Sequence, residues 1–182
     1  MPKVYYLAGV PASGKSSILR ELIKRLIQID PESFQHGKLH GIKGQGVAVY
    51  GIYDGGKFDG TDRLSMTVID DAIDYYKNEA EPSGVKVIIV EGDRLLCRRF
   101  LDSVRARIIV IDAEPRELMR RHIQRGDTQE SAFLKRCRTK VNNICTAYGV
   151  KKYMNNTMAD AERLVNAIER DIKKTINGKE VL

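Results

Sequence analysis

The residues best suited to chemistry begin at Gly9. The apolar run Val4-Tyr5-Tyr6-Leu7-Ala8 leads into Gly9-Val10-Pro11-Ala12-Ser13-Gly14-Lys15-Ser16-Ser17. From Gly9 to Ser16 this is G-x-x-x-x-G-K-[ST], the Walker A pattern, preceded by a strand-like run and followed at once by a helical one. Glycines let such a backbone curl and turn its N–H groups toward phosphate oxygens. Lys15 is placed to meet the β- and γ-phosphates of a triphosphate, and Ser16 to hold Mg²⁺ through its hydroxyl. Gly9 through Ser17 are therefore the candidate nucleotide-binding set.

A second acidic group follows the most β-branched run in the chain. Val85-Lys86-Val87-Ile88-Ile89-Val90 predicts a central parallel strand buried on both faces. It ends in Glu91-Gly92-Asp93-Arg94. Carboxylates at such a tip are placed to meet Mg²⁺ or a substrate hydroxyl. Asp93 also suits the cap of a following helix. A charged group ending a buried strand needs a partner, which favours a functional role for Glu91.

A third group lies after the strand predicted at Val47 to Tyr53. Asp54-Gly55-Gly56-Lys57-Phe58-Asp59-Gly60-Thr61-Asp62-Arg63 sits at a strand's carboxyl end, where open α/β sheets place their ligands. Lys57, Phe58, Asp62 and Arg63, with Arg94, are the candidate substrate contacts. Thr61 or Asp62 can also cap the next helix, a role compatible with substrate contact. The fourth group is cationic. Arg116, Arg120, Arg121 and Arg125 precede Gly126, and Lys135, Arg136, Arg138 and Lys140 follow it. A basic helical hairpin over approximately residues 116–140 reads as a lid, in which Arg125 and Arg121 neutralise charge on a transferred phosphoryl group. His36 and His40 are four apart. Gly37 and Gly41 argue against a helix there, and against a metal pair.

The elements that must hold these groups alternate. Strands are predicted near Val4, Val47, Val85, Ile108 and Lys152. Helices are predicted from Lys15 to about Ile29, from Asp62 to about Ala80, from Arg94 to Ser103, on either side of Gly126, and after Asn155-Asn156-Thr157. Phe34 to Gly46, polar and punctuated by glycine, reads as loop. Leu118, Met119, His122 and Ile123 share one face of the helix that Gly126 ends. The pattern predicts a three-layer α/β/α domain around a mostly parallel five-stranded sheet, with all 182 residues in one domain.

Bulk composition narrows the class. The hydrophobic fraction is 42% and the charged fraction 30%, ordinary for a soluble globular protein. No apolar run is long enough to cross a bilayer. The chain opens directly on a strand, so no signal peptide is expected. Three cysteines without a C-x-x-C pair argue against a disulfide framework or zinc site and for a reducing cytoplasm. The net charge of +7 suits a polyanionic partner such as nucleic acid, and equally a basic solubilising surface.

The chain has no N-K-x-D guanine loop and no transporter signature. It resembles the small P-loop kinases: Glu91-Gly92-Asp93-Arg94 is similar to their acidic–arginine motif, Arg121-His122-Ile123-Gln124-Arg125 to their lid, and Asn155-Asn156-Thr157 to their adenine-side loop. The resemblance implies an ATP- and Mg²⁺-dependent phosphotransferase with an alcohol acceptor. Lys15, Glu91, Asp93 and Arg125 would be catalytic, with Ser16 on the metal assisted by Asp93 or Glu91, and the other of these carboxylates orienting or deprotonating the acceptor hydroxyl. Phe34 to Gly41, Tyr50-Gly51-Ile52-Tyr53, Phe58 through Ser65 and the Glu91 motif together resemble the phage kinases that phosphorylate 5-hydroxymethyluracil in DNA. That narrower resemblance implies DNA carrying a hydroxymethylated base as substrate. A kinase of a free nucleoside, nucleotide or metabolite shares every catalytic group. A non-catalytic nucleotide-dependent nucleic-acid-binding module would keep Lys15 and Ser16 without needing Glu91 and Asp93.

Overall fold

The computed structural model describes residues 1–53, 60–126 and 129–178. The central strand β1 (Lys3–Ala8) runs into the glycine loop and then α1 (Lys15–Leu26). A hairpin of β2 (Glu32–His36) and β3 (Leu39–Gly44) precedes β4 (Val47–Tyr50). A 3₁₀ turn (Thr61–Arg63) and α2 (Ile69–Asp74), which continues as a π-turn over Tyr75–Glu79, lead to β5 (Val87–Glu91). Then follow α3 (Arg98–Ser103), β6 (Arg107–Asp112), α4 (Pro115–Gln124), α5 (Ser131–Tyr148), β7 (Lys152–Met154) and α6 (Met158–Ile176).

The strands form one seven-stranded sheet in the order β2-β3-β4-β5-β1-β6-β7. The five predicted strands are all present and mutually parallel. The expectation of five is corrected by the antiparallel β2–β3 hairpin, which extends the sheet from β4. Gly41, read from the sequence as loop punctuation, serves packing instead. A Cβ on Gly41 would lie 2.5 Å from both the Phe34 ring and the Val49 carbonyl oxygen. Without one, Phe34 closes over the sheet and stacks on Tyr75 with centroids 4.7 Å apart. Such a pair contributes about 0.5–1.5 kcal/mol beyond area burial.

Apolar side chains alternate to the two faces of the sheet, and helices cover both. On one face Tyr6, Ile88 and Val110 pack under α2, α3, α4 and α5. On the other Tyr5, Leu7, Val87 and Ile89 pack under α1 and α6. This is the expected three-layer arrangement. Arg25 ties the outer helices α1 and α6 through Glu21, Glu162 and Glu169.

Three helix boundaries move for tertiary reasons. α1 ends at Leu26, and Ile29 is exposed. The helix expected from Asp62 starts only at Ile69, because Thr61 and Asp62 are bonded to the tip of β5. The π-turn then shifts the helical phase so that adjacent Tyr75 and Tyr76 are both buried. The helix expected from Arg94 starts at Arg98, after Leu95 and Leu96 have been buried in a turn. Among the described residues, no helix is long and apolar enough to cross a membrane.

Candidate active site

The carboxyl ends of β1 and β5 lie side by side, since the two strands pair in parallel with Leu7 opposite Glu91. That register brings the glycine loop and Glu91-Gly92-Asp93-Arg94 together. The loop turns through Ala12, at φ 63, and Gly14, at φ 95, before α1 begins at Lys15. The unbonded amides of the first helical turn therefore point into the loop. Lys15 Nζ donates to the Val10 carbonyl at 3.0 Å. Dense packing lowers the Lys15 pKa, against the opposing pull of Glu91 and Asp62.

Ser16 Oγ donates to Glu91 Oε1 at 3.3 Å. Glu91 is buried, and burial pushes its carboxyl above the ordinary range. Lys15 and the Ser16 hydrogen bond act the other way, and Asp62 adds to the rise. Asp93 lies apart from this pair. It is exposed, and its carboxylate meets Lys140 of α5 at 2.8 Å. Lys140 Nζ also donates to the Asp93 carbonyl at 3.1 Å. Ser16 and Glu91 thus form the oxygen pair able to hold Mg²⁺, an ion that takes few protein ligands and keeps several waters. Among the described residues, no group of three or more His, Cys, Asp or Glu is arranged for a metal.

The acceptor-side segment is bonded to the same tip. Thr61 Oγ1 donates to the Glu91 carbonyl at 2.7 Å. Asp62 Oδ1 accepts from the backbone amides of Asp93 at 2.7 Å and Arg94 at 3.2 Å. This close approach depends on Gly92, at φ 116. A Cβ there would lie 2.4 Å from Thr61 Oγ1 and 3.0 Å from Asp62 Oδ1. Arg94 faces inward to the segment, with Nη2 donating to the Asp62 carbonyl at 2.9 Å and Nη1 against Met66 Sδ. Arg63 is exposed on the 3₁₀ turn. Lys57 and Phe58 lie outside the described residues.

On the opposite side, Arg121 of α4 reaches across the loop. Its Nη1 donates to the Ala12 carbonyl at 3.2 Å and its Nη2 to the Asn155 carbonyl at 2.7 Å. Glu117 holds its Nε at 2.6 Å. Arg120 and Arg121 together depress the Glu117 carboxyl to about 2. Asn155, buried after β7, donates from Nδ2 to the Ser13 carbonyl at 2.8 Å. Arg125 is exposed at the end of α4, with its charge felt at Lys15.

Leu118 is buried at the base of α4, whereas Met119 and Ile123 stand exposed. They line a cavity of about 500 Å³ between α4 and α5, floored by Val10 and Pro11. Cys137 and Cys145 of α5 are half-buried. His36 hydrogen-bonds Asp74 at 2.7 Å in the outer hairpin. With β4 and β5 between that hairpin and β1, both histidines are remote from the glycine loop.

The structure therefore brings Lys15, Ser16, Glu91, Asp62, Arg121 and Arg125 around one loop. It ties Asp93 to Lys140 of α5 and Arg94 to the Asp62 carbonyl. The Asp93–Lys140 and Asn155–Ser13 contacts span 47 and 142 residues, and no local spacing signals them.

A phosphate loop between a central parallel strand and a helix, with an acidic group ending the neighbouring strand, defines the P-loop class of nucleotide-binding α/β proteins. The chain belongs to the P-loop Nucleotide Kinase3 family, whose model matches residues 1–175. No curated protein matches it.

Proposed function

We propose that this protein transfers the γ-phosphoryl group of ATP to a hydroxyl, and that the hydroxyl is the 5-hydroxymethyl group of 5-hydroxymethyluracil in DNA. The family supports a nucleotide kinase. The observation carrying the phosphotransfer reading is the Ser16–Glu91 hydrogen bond beside Lys15, an oxygen pair next to a cation at the mouth of a phosphate loop. Loop amides and Lys15 hold the β- and γ-phosphates. Ser16 and Glu91 would hold Mg²⁺, which supplies charge neutralisation on the phosphates when bound. Arg121 braces the loop, and Arg125 offers charge to the transferred group.

The acceptor is proposed from the run Phe58 through Ser65 and from the net charge of +7. Lys57, Phe58 and Arg63 are assigned to the base and its strand, with Phe58 as a stacking surface. A base in a duplex must leave the stack to reach this site, at a cost of a few kcal/mol.

The test offers γ-labelled ATP with hydroxymethyluracil DNA, ordinary DNA and free nucleosides in parallel. Label on the modified DNA alone is the expected result. Label on free nucleosides moves the acceptor to a small molecule. DNA retention without transfer to any pool makes the protein a nucleotide-dependent binding module.

A further inference from the structure

Three carboxylates meet at the carboxyl end of β5, and they differ in what already holds them. Glu91 is buried and bonded to Ser16, on the side of the phosphates. Asp93 is taken by Lys140, which grips both its carboxylate and its carbonyl. Asp62 is exposed, yet its position is set from several directions. Its Oδ1 accepts two backbone amides, and its carbonyl accepts from Arg94. The preceding Thr61 is fully buried and bonded to the Glu91 carbonyl. Among the described residues, Asp62 Oδ2 has no hydrogen-bond partner.

Asp62 is also close to the reacting end of the site. Its charge raises the pKa of both Lys15 and Glu91. A Cβ on Gly60, two residues before Asp62, would lie 3.0 Å from Glu91 Oε2, and Thr61 bonds the Glu91 carbonyl, so this segment reaches Glu91. A fixed, solvent-facing carboxylate oxygen beside the phosphate loop is what an incoming hydroxyl needs for orientation and for disposal of its proton.

We infer that Asp62, rather than Glu91 or Asp93, faces the acceptor hydroxyl, orients its oxygen and takes its proton, leaving Glu91 to the metal side. This rests on the kinase reading above. The acceptor oxygen forms a bond to the γ-phosphorus as the bond from that phosphorus to the β,γ-bridging oxygen breaks. ADP leaves with the electron pair, and the hydroxyl proton passes to Asp62 Oδ2 and then to solvent. The transition state is loose, so alignment comes first and proton removal late.

Asp62→Asn isolates this role, because an asparagine Oδ1 still accepts from the Asp93 and Arg94 amides. The expected result is a fall in kcat of about 10²–10⁴-fold, with Mg-ATP affinity and melting temperature close to the parent's. In Asp62→Glu part of the rate should return. An Asp62→Asn enzyme with kcat within about tenfold of the parent overturns the assignment while leaving the kinase reading standing. So does a variant that loses nucleotide affinity and thermal stability together with rate, since that marks a purely structural residue. A parent that labels no hydroxyl acceptor overturns both readings.

Discussion

Glu91 sits under opposed demands. Burial, the largest influence, holds its proton, and Lys15 and Ser16 favour the charge. The net shift is upward, so the folded chain binds this proton more tightly than the unfolded chain. Stability then rises as pH falls through the raised folded value, and above that value the ionised carboxylate costs stability. Glu91→Gln should therefore raise the melting temperature at neutral pH and flatten its dependence on pH above the ordinary glutamate range. The same change should lower turnover and raise the Mg²⁺ concentration giving half-maximal rate. Thermal melts and a Mg²⁺ titration check both halves, and a lower melting point at neutral pH contradicts the first. Lys15→Ala should cost about 10²-fold or more in transfer, the scale of losing one charge-stabilising donor, with an unchanged circular dichroism spectrum.

At the scale of elements, the site depends on contacts that join distant segments. The 3₁₀ turn at Thr61–Arg63 is bonded to the tip of β5, and Arg121 of α4 bridges the phosphate loop to the segment after β7. That last segment is set by the start of α6. Thr157 Oγ1 accepts from the Asp160 amide at 3.1 Å, and Asp160 accepts from the Thr157 amide at 2.9 Å, a reciprocal capping box. Thr157→Ala should destabilise the protein by about 1 kcal/mol in a denaturant melt. Because Asn155 lies two residues upstream, on the Ser13 carbonyl, the same variant should weaken ATP binding measurably. Unaltered affinity would detach the cap from the nucleotide site.

At the scale of the whole molecule, the excess positive charge is the property to test. Arg120, Arg125, Lys135 and Arg136 are exposed on the α4–α5 hairpin, above the glycine loop. If this face tracks a DNA backbone, binding must release counterions. For about six phosphate contacts, affinity should fall roughly 10³-fold between about 50 and 200 mM salt. Filter binding across a salt series measures the slope. A flat response would assign the net charge of +7 to solubility alone.

The phosphate loop, the parallel core strands and the layered α/β class were legible in the chain because each is written in consecutive residues. A Walker A pattern flanked by a strand and a helix needs no distant partner to be recognised. The acidic tip at Glu91 was legible for the same reason. The hairpin of β2 and β3 was not, because Gly41 signals a break locally and becomes a packing residue only once Phe34 lies over it. The different surroundings of Glu91, Asp93 and Asp62 were not legible either. Three acids look alike in sequence, and their difference arises from Ser16, Lys140 and two backbone amides brought to them by the fold. Local spacing determined which reactive groups were present, and only tertiary contact decided which carboxylate kept an unbonded oxygen.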